Sequence, residues 1–489
     1  MDIIKSFPLL IVLTLFISSF ILLLIKKAKA AKTISLLSLS FALLLSAIHM
    51  VFVLRGGSYY YSIGYFKSPF GIEFYITSIE GIMFLLFSFV SLMVIWYSAY
   101  SIDKDIKETH IPLYYLLINI LIGSLLGVVF TNDIFNSYVF IEVGTLAACG
   151  IIVVKDKKEN IKATLKYLFM SCLGSGLILM GIAFLYTMTG QLNMSYIHQS
   201  IINVQEDYKR TILITLSLFT VGLGVKSAMF PMHNWLPDAH SSAPAPSSAI
   251  LSSLVVKAYA ILLIKVLYRI FGLDIINQFP VLRIILILGS AGMIMGSVMA
   301  IFQKEIKRVI AYSTVAQMGY IFMGVGMGTE LGISIAYFHI IGHAITKAAL
   351  FLTVGFMIEH TGNKKIKDFH GIGKRLPLTL SLFTAGALSM VGIPLLPGFA
   401  SKWNFALASI HKGELTLIGV ILISSLLNAV YYLPIAINGF FGEEQESEKE
   451  IIKGIFLKEL LPVVILSLCM VYLGAASEGI IELINMGLI

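Results

Sequence analysis

Apolar runs of roughly 20 residues follow one another along almost the whole chain, and this repetition leaves little choice of fold. A run of that length, wound as a helix, spans the hydrocarbon core of a bilayer. About fourteen such runs can be drawn. They lie near 6–25, 34–54, 78–100, 111–130, 134–154, 161–187, 210–230, 247–271, 281–302, 307–328, 331–357, 376–410, 415–441 and 459–486. Of the 489 residues 58% are hydrophobic and only 13% are charged, against roughly 25% charged in soluble domains. A soluble globule could not hide so much apolar surface. The same composition excludes a disordered or collagen-like chain. The sequence predicts an all-α, multi-pass membrane protein.

The net charge of +8 raises nucleic acid as a partner, but most Lys and Arg stand in short loops, which fits orientation in a membrane instead. Loops after odd-numbered runs are rich in basic residues, as at Lys26, Lys27, Lys29, Lys104, Lys107, Lys155, Lys157, Lys304, Lys307, Arg308, Lys364 and Lys365. Loops after even-numbered runs hold few, among them Arg55, Lys67, Lys209 and Lys412. Odd loops are therefore expected in the cytoplasm and both termini outside, in the inner (cytoplasmic) membrane. The first run has its lysines after it, the reverse of a signal peptide, and reads as a retained span. The stretch Glu443 to Lys458 reads as a solvated cytoplasmic loop. Cys149, Cys172 and Cys469 lie inside apolar runs with no Cys-x-x-Cys pair, so neither cofactor nor redox centre is expected on this chain.

Two runs are interrupted. The seventh carries Gly222 and Gly224 and then Pro231; the twelfth breaks across Gly392-Ile-Pro394-Leu-Leu-Pro397-Gly398. Pro removes a backbone donor and Gly loosens the helix. Breaks at matching places in two halves point to inverted repeats with a mid-membrane ion site. Spans four to eight and nine to thirteen put each break at the fourth span of a five-helix set. The expected segments are 1–110, a three-helix start; 111–272 and 273–442, the two repeats; and 443–489, a loop and last helix.

Ionisable residues inside apolar runs carry the functional signal, because each costs roughly 2.5–3.5 kcal/mol at a span centre. Glu142 is mid-span in the fifth run, Lys226 beside the break of the seventh, and Lys257 mid-span in the eighth. His339, His343 and Lys347 recur at i, i+4 and i+8 in the eleventh and share one face. Lys402 follows the break of the twelfth. Any one of them alone reads equally well as a buried polar group bonded to a carbonyl. Seven across five spans read as a hydrated path along which protons move. Glu80 reads as structural, and Lys265 and Arg269, near a span end, as snorkelling to the interface. His233, Asp238 and His240, in the irregular stretch after Phe230, make a weak zinc signal and read better as loop-ordering groups. Neither the glycines of 324–328 nor Gly224-Val-Lys226-Ser227 has the context of a phosphate loop.

At these residues the chain resembles the proton-translocating antiporter-like family shared by respiratory complex I, Mrp-type cation/proton antiporters and membrane-bound hydrogenases. The stretches that carry the resemblance are Lys226-Ser-Ala-Met-Phe-Pro-Met-His-Asn-Trp-Leu-Pro-Asp-Ala-His240, Lys307-Arg-Val-Ile-Ala-Tyr-Ser-Thr-Val-Ala-Gln-Met-Gly-Tyr320, His339-Ile-Ile-Gly-His-Ala-Ile-Thr-Lys347 and Gly392-Ile-Pro-Leu-Leu-Pro-Gly-Phe-Ala-Ser-Lys402. The resemblance implies that Glu142 and Lys226 are the family's carboxylate–lysine pair and Lys257 its connecting lysine. It makes His339, His343 and Lys347 the central relay and Lys402 the terminal ionisable group. The segment Thr131-Asn-Asp-Ile-Phe-Asn-Ser-Tyr-Val-Phe-Ile-Glu142 is most similar to the D-type branch of the Mrp antiporters and its hydrogenase-associated relatives. A complex I subunit of similar length is the nearest competitor, and Lys at 402 argues against the complex I type with Glu there. Thr77 stands where the family usually has Asp, and Thr314 where Ser is common. The implied partners are other membrane subunits, with protons as cargo. Sodium stays open, because its oxygen ligands cannot be read from sequence. A stand-alone secondary transporter and a passive membrane anchor of a redox complex are the rival readings.

Overall fold

A computed structural model of the chain describes residues 2–443 and 453–488. Its long helices, in chain order, are α1 (Phe7–Leu23), α2 (Ala28–Gly56), α3 (Ser78–Ser101), α4 (Ile111–Phe130), α5 (Ile134–Val153), α6 (Lys158–Thr189) and α7 (Lys209–Lys226). They continue as α8 (Ala245–Ile276), α9 (Val281–Ile301), α10 (Ile306–Gly326), α11 (Glu330–Thr361), α12 (Pro377–Val391), α13 (Pro397–Lys412), α14 (Thr416–Phe441), α15 (Lys453–Ala475) and α16 (Ser477–Leu488). Among the described residues eleven helices are long and apolar enough to cross a membrane unaided, and α1 and α12 are shorter apolar helices. The other expected spans fall on α1 and on two interrupted places: α7 with the short helix Leu236–Ser242, and α12 with α13. Of the expected loop from Glu443 to Lys458, 444–452 lie outside the described residues, and from Lys453 the chain is already helical. Between α2 and α3, β1 (Tyr59–Ser62) pairs antiparallel with β2 (Glu73–Ile76).

Neighbours in the first set of helices recur in the second. Helix α4 packs on α5, α5 on α6, α6 on α7, and α8 on α7 and α4. Likewise α9 packs on α10, α10 on α11, α11 on α12 and α13, and α14 on α12 and α9. The centre is made by the most buried apolar windows, 100% in α8 and 94% in α10 and α11, against 39% in α6 and α14. Three of the seven candidate residues sit on α11 and one on α8, so much of the charge lies where the lipid is farthest away.

The two interruptions differ in construction. Helix α7 runs unbroken through Gly222 and Gly224 and ends at Lys226. These glycines do not loosen it, contrary to the expectation. Gly222 instead serves packing: a Cβ there would stand 2.8 Å from the Gly174 carbonyl of α6. At the second interruption α12 ends at Gly392, whose φ of +96° suits glycine, and Leu395 also takes a positive φ of 69°. Pro397 then starts α13, where its missing N–H costs nothing.

The end of α12 and the start of α13 touch at Gly398, where a Cβ would overlap the carbonyl oxygen of Ser389. Gly398→Ala is therefore expected to lower stability by about 1–3 kcal/mol, read as a drop in thermal midpoint and in assembled protein. Gly419→Ala, with open space around it, serves as the control and leaves both unchanged.

Candidate functional site

Glu142 and Lys226 meet because α5 and α7 both pack on α6 and the two side chains reach across it. Asp133 caps α5, accepting from the Asn136 amide at 2.7 Å, and so fixes the helix on which Glu142 rides. Lys226 is the last residue of α7, where the negative end of the helix dipole favours an ammonium. Its Nζ lies 3.2 Å from Glu142 Oε1 and donates to Thr145 Oγ1 at 2.9 Å. Ser175 of α6 donates to the same carboxylate oxygen, and the ring of Tyr259 faces the ammonium at 5.8 Å. The lysine side chain is fully buried, whereas a third (33%) of the Glu142 side chain is exposed on the surface of the chain.

The other lysines have no carboxylate. Lys257 is buried in α8 just after a π-helical turn, Leu251–Val255, and bonds back to the Ser252 carbonyl. Such π turns recur at functional positions because they free backbone groups. Lys347 on α11 donates to the Ile310 carbonyl of α10 at 2.8 Å and to Ser313 Oγ, and Ser313 bonds the Tyr432 hydroxyl at 2.7 Å. Lys402 on α13 reaches back to the end of α12, donating to the carbonyls of Met390 at 2.7 Å and Val391 at 2.9 Å. The ring of Tyr320 stands 5.3 Å from its Nζ. Among the described residues no ion pair involves Lys257, Lys347 or Lys402; every partner is a neutral oxygen.

On α11 the rings of His339 and His343 are stacked with centroids 5.8 Å apart. Nδ1 of His339 bonds Ser401 Oγ at 2.8 Å. Its Nε2 and both ring nitrogens of His343 are buried without a protein partner. The fold thus brings together Glu142 with Lys226 and His339 with His343. Lys257, Lys347 and Lys402 make no direct hydrogen bond to any of the other six.

Charges outside this set proved more structured than the sequence implied. Lys265 and Arg269 do not snorkel. Both turn inward to Glu80 of α3, at 3.5 Å and 2.8 Å, and Lys265 also donates to the Val129 and Thr131 carbonyls at the end of α4. Glu80 closes a capping box with Thr77, and the ring of Tyr75 covers the Arg269 guanidinium at 4.6 Å. The Thr-x-x-Glu spacing ahead of an apolar run was the available signal for Glu80. Lys307, read as a loop charge, is buried and donates to the Ala243 carbonyl at 2.6 Å. His233, Asp238 and His240 take separate neighbours: Asp238 pairs with Lys166 and Arg308, His233 stacks on Phe230, and His240 on Phe351. His240 is also fully buried, a placement that the irregular local sequence gave no means of reading.

With this geometry in place, residues 131–428 match the family described as NADH:quinone oxidoreductase/Mrp antiporter, TM, and the chain belongs to that family. It is 34% identical over 443 residues to the N subunit of NADH-quinone oxidoreductase from Desulforudis audaxviator, covering 88% of this chain and 87% of that one. It is 31% identical over 477 residues to the D subunit of the Na(+)/H(+) antiporter from Alkalihalophilus pseudofirmus, covering 96% and 94%. A chain from the membrane-bound sulfane sulfur reductase, an archaeal respiratory membrane complex, superposes with a TM-score of 0.90 at 27% identity over 100% of this chain and 97% of that one. A chain of the Mrp complex from Dietzia sp. DQ12-45-1b shares the fold, with a TM-score of 0.89 at 22% identity over the same shares. Of the three groups named by the sequence resemblance, the complex I and Mrp antiporter groups are thus represented among these relatives.

The two carboxylates make a testable contrast. Removing Glu80 leaves two buried cations without an anion, a loss of about 3–5 kcal/mol, so Glu80→Gln is expected to deplete the assembled protein in membranes. Glu142, partly exposed and supported by Ser175, is expected to tolerate Gln with normal assembly. Quantifying both variants by immunoblot of solubilised complex checks this.

Proposed function

We propose that the chain moves protons across the cytoplasmic membrane as one subunit of a multisubunit complex of the Mrp antiporter or membrane-bound hydrogenase type. The observation that carries this reading is the set of buried lysines 257, 347 and 402, held only by neutral oxygens. A lysine so held can gain or lose a proton without stranding an opposite charge, and its amine form still donates to the same carbonyls. A fixed structural ion pair lacks that freedom.

Glu142 and Lys226 begin the path. A carboxylate beside a lysine favours the ammonium, and withdrawing it favours release, so small movements of α5 against α7 gate the first proton. Lys257 on α8 connects this pair to α11, where His339, His343 and Lys347 pass the proton on. The ring nitrogens that have no protein partner are the ones that would bond bridging waters. Lys402, at the interruption between α12 and α13, is the terminal group on the exit side.

Partner subunits are supported by Glu142 itself: an ionised group exposed on a span is costly against lipid, and a neighbouring subunit packed on α5 removes that cost. The recurring neighbours of α4–α8 and α9–α14 support two inverted repeats over 111–272 and 273–442, with 1–110 and 443–489 as flanking segments. The basic loops support both termini facing outside. A second reading, a subunit of a quinone-reducing complex, is favoured by the 34% identical relative; it keeps the same path and changes only the driving partner. Purification of the chain from native membranes with its co-purifying subunits separates the two.

Lys402→Arg tests the relay. Arg keeps the charge and the donors to Met390 and Val391 but effectively never deprotonates. The expected result is a complex that assembles in wild-type amounts and moves no protons in everted vesicles. Wild-type pumping by this variant would overturn the relay.

A further inference from the structure

Lys347 and Lys402 stand on different helices and make no direct bond, yet two buried sets of hydrogen bonds, one on each lysine, meet at adjoining tyrosine rings of α14. Lys347 donates to Ser313 Oγ, and Ser313 bonds the Tyr432 hydroxyl at 2.7 Å. The Tyr431 ring lies against that of Tyr432, centroids 4.7 Å apart, and this ring contact joins the two sets. Tyr431 donates to Asn428 Oδ1, which also accepts from Ser297 Oγ at 3.3 Å. Asn428 Nδ2 in turn donates to the Met390 carbonyl at 3.1 Å, the same oxygen that receives Lys402 at 2.7 Å. Asn428, Tyr432, Ser313 and Ser297 are 0% exposed and Tyr431 is 5% exposed.

A wholly buried Asn is costly unless its amide is bonded, and this one bonds on both sides. We infer that Asn428 and Tyr431 are positioning residues that couple the protonation of Lys347 to that of Lys402. The inference rests on the relay proposed above and adds residues to it that no resemblance assigned. Coupling needs no proton to travel along α14. When Lys347 changes from ammonium to amine it loses its charge and gains a lone pair, so the Ser313 hydroxyl is free to turn from accepting to donating, and the Tyr432 hydroxyl turns with it. Across the ring contact that change of charge and dipole acts on the Tyr431 hydroxyl and its bond to Asn428 Oδ1. Bonds in such a chain polarise one another, so the pull of Nδ2 on the Met390 carbonyl changes too. That oxygen is shared, and Lys402 therefore feels the change. The amide cannot itself hand on a proton, which keeps this route a sensor and leaves the proton to the histidine side of α11.

The test uses the assembled complex in everted vesicles, with proton movement expressed per assembled complex. Tyr431→Phe removes one oxygen and keeps the ring packing; Asn428→Leu removes the amide at similar volume. Each is expected to lower turnover about tenfold, the size of one buried hydrogen bond left unmade, with assembly near wild type. Ser313→Ala cuts the set on Lys347, across the ring contact. Combined with Tyr431→Phe it is expected to be no slower than the slower single variant, because groups acting as one unit are not additive. A merely structural role gives losses that multiply, and that result overturns the inference. Wild-type turnover of Tyr431→Phe overturns it as well, in a background where Lys402→Arg is inactive. Should Lys402→Arg itself pump normally, the relay fails first and the coupling with it.

Discussion

Backbone carbonyls freed inside a membrane have no water to turn to, and the arrangement of this protein follows from how they are satisfied. Buried lysines supply the donors. Lys402 takes the Met390 and Val391 carbonyls at the end of α12, Lys265 those of Val129 and Thr131 at the end of α4, and Lys257 that of Ser252 in a π turn. Lys307 does the same for Ala243, at the end of the short helix Leu236–Ser242. An interrupted helix thus creates the acceptor, and the lysine makes the interruption tolerable. The same pairing gives the lysine a site where both of its protonation states remain bonded. Under the proposed function, structure and proton exchange draw on one interaction, which is how charges that look expensive in sequence can persist.

That economy also explains which parts of the site were legible beforehand. A charge in an apolar run is conspicuous because it is costly, so Glu142, Lys226, Lys257, Lys347 and Lys402 stood out one by one. Histidines at i and i+4 declared a shared face through helical geometry alone. The interruption at Gly392–Gly398 was readable because Pro and Gly act locally. What could not be read was pairing across distance. Glu80 and Arg269 are 189 residues apart, and nothing near either names the other, so a buried ion cluster passed for one structural acid and two interfacial bases. Lys307 looked like a loop charge because it begins a helix, and only the packing of 243–248 over it shows it buried. The hairpin of β1 and β2 is too short for alternation to register against the apolar runs on either side.

Glycine gave the subtler misreading. Gly222 and Gly224 near Pro231 suggested a loosened helix, yet α7 is continuous to Lys226. Gly222 is there because the Gly174 carbonyl of α6 approaches too closely for a side chain. The residue type was informative, but its meaning, close approach instead of flexibility, depends on a neighbour that sequence does not reveal.

The two halves place their lysines in different electrostatic settings, and under the proposed function this sets a direction of control. Lys226 faces a carboxylate that is itself partly exposed, so its state answers to whatever packs against α5. Lys402 faces fixed backbone carbonyls and an aromatic ring with no carboxylate beside it, so its state answers chiefly to the interior. Of the seven relay residues Glu142 is the one open at the surface; the others are at most 6% exposed. A partner can therefore act on the path at Glu142 by Coulombic contact, whereas the far end receives the effect through α11 and α14. Interchanging the two settings would leave the terminal lysine exposed to outside charge and the first one deaf to it. The asymmetry is what allows a nearly repeated fold to carry a signal one way.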